Sequence, residues 1–238
     1  MKKAVLVSLF SLGIFTFVNA QRHINLYAGY SFVNPQKWNR TIDAFNFSRP
    51  WLANKIPPIS KAFTWGFGTS GVIGKGVFLS PEFSYSRYNA SSLNTPVSMD
   101  IDLKWFRGNM YVDLYPREFK LDSVTFTLRP FVRVGAGASS ILPRVSINNV
   151  LVGVDDETYK PIIWSYQLSV GLGCRLALSK RIDITPLILL HYTPNIHLED
   201  FSYALHGTQV PNLNNNQRFS NLMTLMSVSY RLVNNSTN

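Results

Sequence analysis

The 238-residue chain carries 23 basic against 13 acidic side chains, a formal charge of +10, and one cysteine. A single cysteine excludes an internal disulfide, and no apolar run of spanning length follows the first twenty residues, which excludes α-helical membrane topology. No basic run with interleaved aromatics argues for nucleic acid, so the natural partners of the positive surface are lipid phosphates or an acidic envelope polymer.

Lys2 and Lys3, the apolar run from Ala4 to Val18 and the junction Val18-Asn19-Ala20 read as a secretory signal peptide over residues 1–20. Without the two lysines, the 21–238 segment keeps 21 basic against 13 acidic residues, a charge of +8. It reads as one domain made of eight segments with period-two alternation.

The first segment, about His23 to Val33, points Ile24, Leu26, Ala28, Tyr30 and Phe32 to one side. A long connection, Asn34 to Ser60, follows. It holds Trp38, Arg40, Phe45, Phe47, Arg49 and Trp51, with Ile56 and Ile59 beyond, and is too apolar for a solvated linker. Such a loop either folds down as a lid or docks against a partner, since exposed aromatics and arginines are the residues interfaces favour. The second segment carries Phe63, Trp65, Phe67 and Ile73 and turns at Gly74-Lys75-Gly76 into the third, with Val77, Leu79, Pro81, Phe83 and Tyr85.

The fourth, Met99 to Tyr115, switches parity midway: Met99, Ile101, Leu103 and Trp105 are odd, Phe106, Met110, Val112 and Leu114 even. A bulge near Trp105 would do this, as would an upper part standing above a bilayer. The fifth points Val124, Phe126, Leu128, Val132, Val134 and Ala136 outward, with Pro130 on the same face, which a ladder tolerates only at an edge or bulge. A long loop from Ile141 to Lys160 leads to the hairpin Pro161 to Tyr192. Its first arm places nine apolar residues, Ile162 to Leu178, on one parity, more than a half-buried soluble strand needs. In its second arm Leu187 and Leu189 break the alternation. The last loop, Thr193 to Gln217, ends at an eighth segment with Leu222, Met226, Val228, Tyr230 and Leu232 outward.

Eight such segments joined by alternating long and short connections resemble the small outer-membrane β-barrels of Gram-negative bacteria, the OmpA/OmpX-like type. The Ala20-Gln21 junction and the Asn-rich loops also resemble barrels of Bacteroidota. The resemblance implies an all-β fold, an eight-stranded antiparallel up-and-down transmembrane β-barrel in the outer membrane, with short turns periplasmic and long loops outside. Tyr30, Trp65, Tyr85, Trp105, Trp164 and Tyr192 then fall where that family has its outer aromatic girdle.

The opposite parity collects Glu82, Arg107, Asp113, Arg129, Arg133, Arg175, Asp183 and Arg231. Charges belong in the lumen, because an Arg at mid-depth on the lipid face costs about 2 to 4 kcal/mol. Counting from the turns, Arg175 should face Asp183 and Asp113 should face Arg129, forming a salt-bridge network that plugs the barrel. Paired glycines, such as Gly135 with Gly137 and Gly171 with Gly173, leave room for large inward neighbours such as Tyr111 and Phe131.

His191, followed by Thr193, distantly resembles the His-x-Ser-Asn segment of outer-membrane lipid A deacylases, with Thr193 in place of the serine nucleophile. Three functional classes are therefore open. The first is a non-enzymatic structural, adhesive or docking barrel that meets lipopolysaccharide and another envelope protein through its loops. The others are an outer-leaflet lipid A acyl hydrolase and a narrow channel through the lumenal arginines. No cofactor or metal site is expected.

Overall fold

The computed structural model describes residues 22–47, 50, 54–92, 99–116, 119–120, 127–147, 150–151, 162–197 and 216–232. The segment read as a signal peptide, Arg49, Trp51, Val124 and Phe126 lie outside them. Eight long strands form: β1 Arg22–Val33, β2 Lys61–Gly74, β3 Val77–Ser92, β4 Met99–Leu114, β5 Thr127–Ile147, β6 Ile163–Ala177, β7 Ile182–His197 and β8 Asn216–Leu232. Each pairs antiparallel with its neighbour in the chain, and β1 pairs with β8 from Arg22↔Leu232 to Val33↔Asn221, closing the sheet into a barrel. Closure removes the edges that an open sheet would expose.

Alternation sets the two faces. Along β2, exposed and buried residues alternate without a break from Lys61 to Ser70. The outward positions are large and apolar: Leu26 is 62% exposed, Leu172 65% and Trp164 67%. A continuous apolar wall of this kind is built for lipid, not water. On β3 it runs from Val77 to Tyr85, which matches the roughly 9–11 residues a tilted strand needs to cross a bilayer. No helix among the described residues is long and apolar enough to cross one.

Above Tyr85 and Phe106 the chemistry of the two faces exchanges while the parity holds. β4 pairs in unbroken register with both β3 and β5, so there is no bulge near Trp105. Ile101, Leu103 and Trp105 stay on the inward parity and are each 1% exposed, with Tyr88, Ala90 and Ile141 buried beside them. Arg87, Asn89, Asp102, Lys104 and Arg144 take the outward positions. Within the bilayer the wall must be apolar outside, whereas beyond it water surrounds the strands and the usual apolar-in, polar-out rule returns. Trp105 therefore belongs to the upper core and not to the girdle.

The first connection is more than a loop. Residues Gln36–Phe47 form a helix, α1, opened by Pro35, whose carbonyl accepts a hydrogen bond from Asn39 N at 2.8 Å. Asn39, Ile42 and Asn46 share one helical face. The Asn39 amide donates to Ile59 O (3.1 Å) and accepts from Ile59 N (2.8 Å). Asn46 does the same with Ile56, at 3.0 Å in both directions. These two clamps fasten α1 to the extended segment 54–60, and Ile42, Ile56 and Ile59 are buried between 0 and 4% exposed.

Strand lengths also depart from the sequence reading. β5 runs on to Ile147, past the expected loop start at Ile141, and β7 continues to His197. Pro130 sits between Leu114↔Val132 and Phe119↔Leu128, so the missing N–H falls in a gap of the pairing on one flank of the strand.

Candidate functional site

All eight charged residues assigned to the lumen lie on the inward parity, and they stack in tiers. Nearest the short turns, Arg129 and Arg175 face each other across β5 and β6, and His23 faces Arg231 across β1 and β8. Asp183 is fully buried and accepts from Arg231 Nη2 at 3.5 Å, while His23 Nδ1 lies 3.5 Å away without a hydrogen bond to it. The Arg175 guanidinium lies over the rings of Phe78 (5.2 Å) and Tyr115 (5.4 Å). Arg175 does not oppose Asp183, which faces Ala177 instead. The turn is the reason. Ser179 Oγ accepts from Arg181 N and Ile182 N, and Leu178 N donates to Ile182 O. The turn centre is thereby displaced by one residue, which in an antiparallel pair moves every partner by two.

One tier up, Arg133 bridges two carboxylates: Nε to Asp113 Oδ1 at 2.6 Å, Nη2 to Asp113 Oδ2 at 2.8 Å, and Nη1 to Glu82 Oε1 at 2.7 Å. Ser80 Oγ donates to Asp113 Oδ2 at 3.1 Å. Asp113 faces Arg133 in register, not Arg129, because the β4–β5 pairing is centred two residues later than the sequence count placed it.

The middle of the lumen is apolar. Tyr27, Tyr111, Phe131, Leu187, Leu189, Met223 and Leu225 form one buried cluster. This explains the broken alternation in β7: Leu187 and Leu189 point inward, and lipid takes the other parity. The glycines serve as predicted. A Cβ on Gly135 would meet the Tyr111 ring, and one on Gly173 the Phe131 ring, so both rings pack directly against bare backbone. A void lined by Tyr27, Glu82, Phe131 and Arg133 holds about 10 Å³, room for roughly one water.

Above this, Arg107 Nη1 donates to Ser86 Oγ at 2.6 Å and its guanidinium lies 4.0 Å from the Trp105 ring centroid. Gln167 Nε2 donates to Asn109 Oδ1. Ser31 Oγ meets Tyr88 Oη at 2.9 Å and accepts from Asn221 Nδ2 at 2.7 Å. His191 pairs through Nδ1 with Ser169 Oγ at 2.7 Å. Both His191 and Thr193 face the lumen and are buried, at 1 and 0% exposure. Neither is presented to the lipid outside.

Of the residues proposed for docking, Arg40 and Phe47 stand exposed on α1, Phe47 at 87%. Trp38 and Phe45 also lie on α1. The sequence places Arg87 outward, where it would meet lipopolysaccharide phosphates, but does not reveal the charged cluster it joins on the outer wall just above the girdle. Arg87 Nε donates to Asp102 Oδ1 at 2.8 Å and Nη2 to Oδ2 at 3.2 Å, and Lys104 Nζ lies 3.9 Å from Asp102 Oδ2. The hydrogen bonds from Arg87 to Asp102, and then the charge of that carboxylate, hold the guanidinium pKa above its ordinary value. Adjacent outward positions on β3 and β4 carried the signal, but it needs the strand register to be seen.

No protein-family model matches the chain, and no curated protein matches it. Among solved structures it is similar to Neisserial surface protein A, at 15% identity and a TM-score of 0.42, over 87% of this chain and 96% of that one. It is also similar to Ail, the attachment invasion locus protein of Yersinia pestis, at 9% identity and a TM-score of 0.40, over 90% and 100% of the two chains. A third likeness is to the N-terminal β-barrel domain of Pseudomonas aeruginosa OprF, at 9% identity and a TM-score of 0.39, over 90% and 100%. Likenesses this distant add nothing to what the geometry itself shows, which is a closed eight-stranded antiparallel β-barrel with an apolar outer wall and charged residues on its inner face.

Proposed function

We propose that the chain is an integral outer-membrane β-barrel of a Gram-negative bacterium, not an enzyme and not a channel, that works as a docking component through its first connection. The observation that carries this is the double clamp of Asn39 and Asn46, which fixes α1 against segment 54–60 while Arg40 and Phe47 remain exposed. A surface ordered before binding avoids much of the entropy that a mobile loop would lose on contact. The buried Arg133 bridge and the aromatic rings beside it support a plugged lumen. The buried positions of His191 and Thr193 argue against hydrolysis of outer-leaflet lipid, which would need them open to the membrane. Basic side chains above the girdle suit contact with lipopolysaccharide phosphates.

The test is a mild-detergent extraction from the native membrane with a tag on the C-terminal tail. A stoichiometric envelope protein that co-purifies with the unaltered chain and is lost from an Arg40→Glu, Phe47→Glu variant supports the reading. A barrel that purifies alone contradicts it.

A further inference from the structure

The outer wall is not uniform. On β4 and β5 the outward positions Gly108, Ala138 and Ser140 are small where their neighbours are large, and they form the floor of a hollow of about 560 Å³. That volume lies within the roughly 300–1,000 Å³ of small-molecule sites. One bank is a chain of rings, Trp65 to Tyr85 at 5.9 Å and Tyr85 to Phe106 at 5.0 Å; the other is Trp164, which pairs with Ser140 in the ladder. The hollow opens on the lipid-facing side, at the level of the girdle.

Directly outward of it lies charge. Lys104 is the next outward residue of β4 beyond Phe106, and Arg87 faces it from β3. Arg144 is the outward residue of β5 opposite Asp102 and is exposed. Arg87 and Lys104 pair with the Asp102 carboxylate and Arg144 occupies the ladder position beside it, with Asp100 one outward position further from the membrane, so the arc nearest the bilayer keeps a positive excess. An apolar trough leading up to cations at the membrane surface matches a lipid, with an acyl chain below and a phosphate above.

We propose that this part of the wall is a binding site for one phosphate-bearing lipid of the outer leaflet. One acyl chain lies in the Gly108–Ala138–Ser140 hollow, and its phosphate is held by Lys104, Arg87 and Arg144. The assignment rests on the membrane-spanning reading above but is independent of docking through α1. Asp102 keeps Arg87 and Lys104 aligned at the rim, and the small floor residues let the chain lie below the general surface of the barrel.

The full chain is folded into phosphatidylcholine vesicles containing a small fraction of phosphatidic acid with brominated acyl chains, which quench nearby tryptophans. Brominated phosphatidylcholine at the same fraction is the reference. Trp65 and Trp164 bank the hollow, so phosphatidic acid should quench at a several-fold lower mole fraction than phosphatidylcholine. A Lys104→Gln, Arg144→Gln variant should lose that preference, and an Ala138→Leu variant, which fills the floor, should reduce the quenching while the barrel still inserts. Equal quenching by both lipids in a barrel that shows normal heat-modifiable migration overturns the site and leaves the membrane reading standing. Failure of the unaltered chain to insert overturns both.

Discussion

Arg133 and Asp113 face each other across β4 and β5 and share two hydrogen bonds, of 2.6 and 2.8 Å, while the third arm of the same guanidinium reaches Glu82 on β3 at 2.7 Å. Three adjacent strands are thereby tied through one side chain in the barrel interior. All three residues are less than 5% exposed, so the bridge is not screened by solvent as a surface pair would be.

Removing the cation should leave two buried carboxylates uncompensated. Arg133→Leu should lower stability by about 3–5 kcal/mol, read as a fall in the urea midpoint of the detergent-folded protein. Combining it with Glu82→Gln and Asp113→Asn should recover part of the loss, because the remaining groups are then neutral. If the single variant leaves the midpoint unchanged, the bridge contributes no stability.

The close approach of these rings depends on bare backbone. Gly173→Ala should cost about 1–3 kcal/mol through overpacking, since the atoms a Cβ would strike are those of the Phe131 ring. Adding Phe131→Leu should restore part of that loss. A double variant no more stable than Gly173→Ala would show that the glycine is needed for another reason.

The sequence revealed more of the barrel than of its wiring. Period-two alternation located the strands and sorted Glu82, Arg107, Asp113, Arg129, Arg133, Arg175, Asp183 and Arg231 onto the inner face, because lipid outside leaves charges nowhere else to go. It did not reveal which charge meets which. Register depends on the turn centre, and the hydroxyl of Ser179 displaced that centre by one residue in a way composition does not announce. Alternation also says which residues share a face, not what bathes it, and this is why the sequence left Ile101, Leu103 and Trp105 open between a bulged lipid-facing run and a part standing above the bilayer, the second of which the unbroken register bears out. The signal for α1 was present in Pro35 and in the spacing of Asn39, Ile42 and Asn46, but two asparagines on a buried face resemble a polar loop until their backbone partners are known.

Those asparagines provide a local test. Asn46→Ala leaves the buried N–H and C=O of Ile56 without side-chain partners, at about 1–3 kcal/mol for the unsatisfied groups. Its effect should be confined to the first connection. Limited proteolysis on whole cells should cut between residues 36 and 60 at least several-fold faster than in the unaltered chain, while the heat-modifiable migration of the barrel is unchanged. Equal cutting rates would mean that the clamp does not hold α1.

The exchange of polarity along β4 is the feature on which the membrane boundary, the upper core and the outer charge cluster all depend, and cysteine accessibility reads it directly. In a Cys174→Ala background, single cysteines are placed at Ile101, Asp102 and Met110 and exposed on intact cells to a membrane-impermeant maleimide. The account predicts reaction at position 102 alone, with Met110→Cys modified only by a lipid-soluble reagent and Ile101→Cys protected from both until the barrel is unfolded. Reaction at position 101 with protection at 102 would contradict it, because the apolar parity of upper β4 would then face outward.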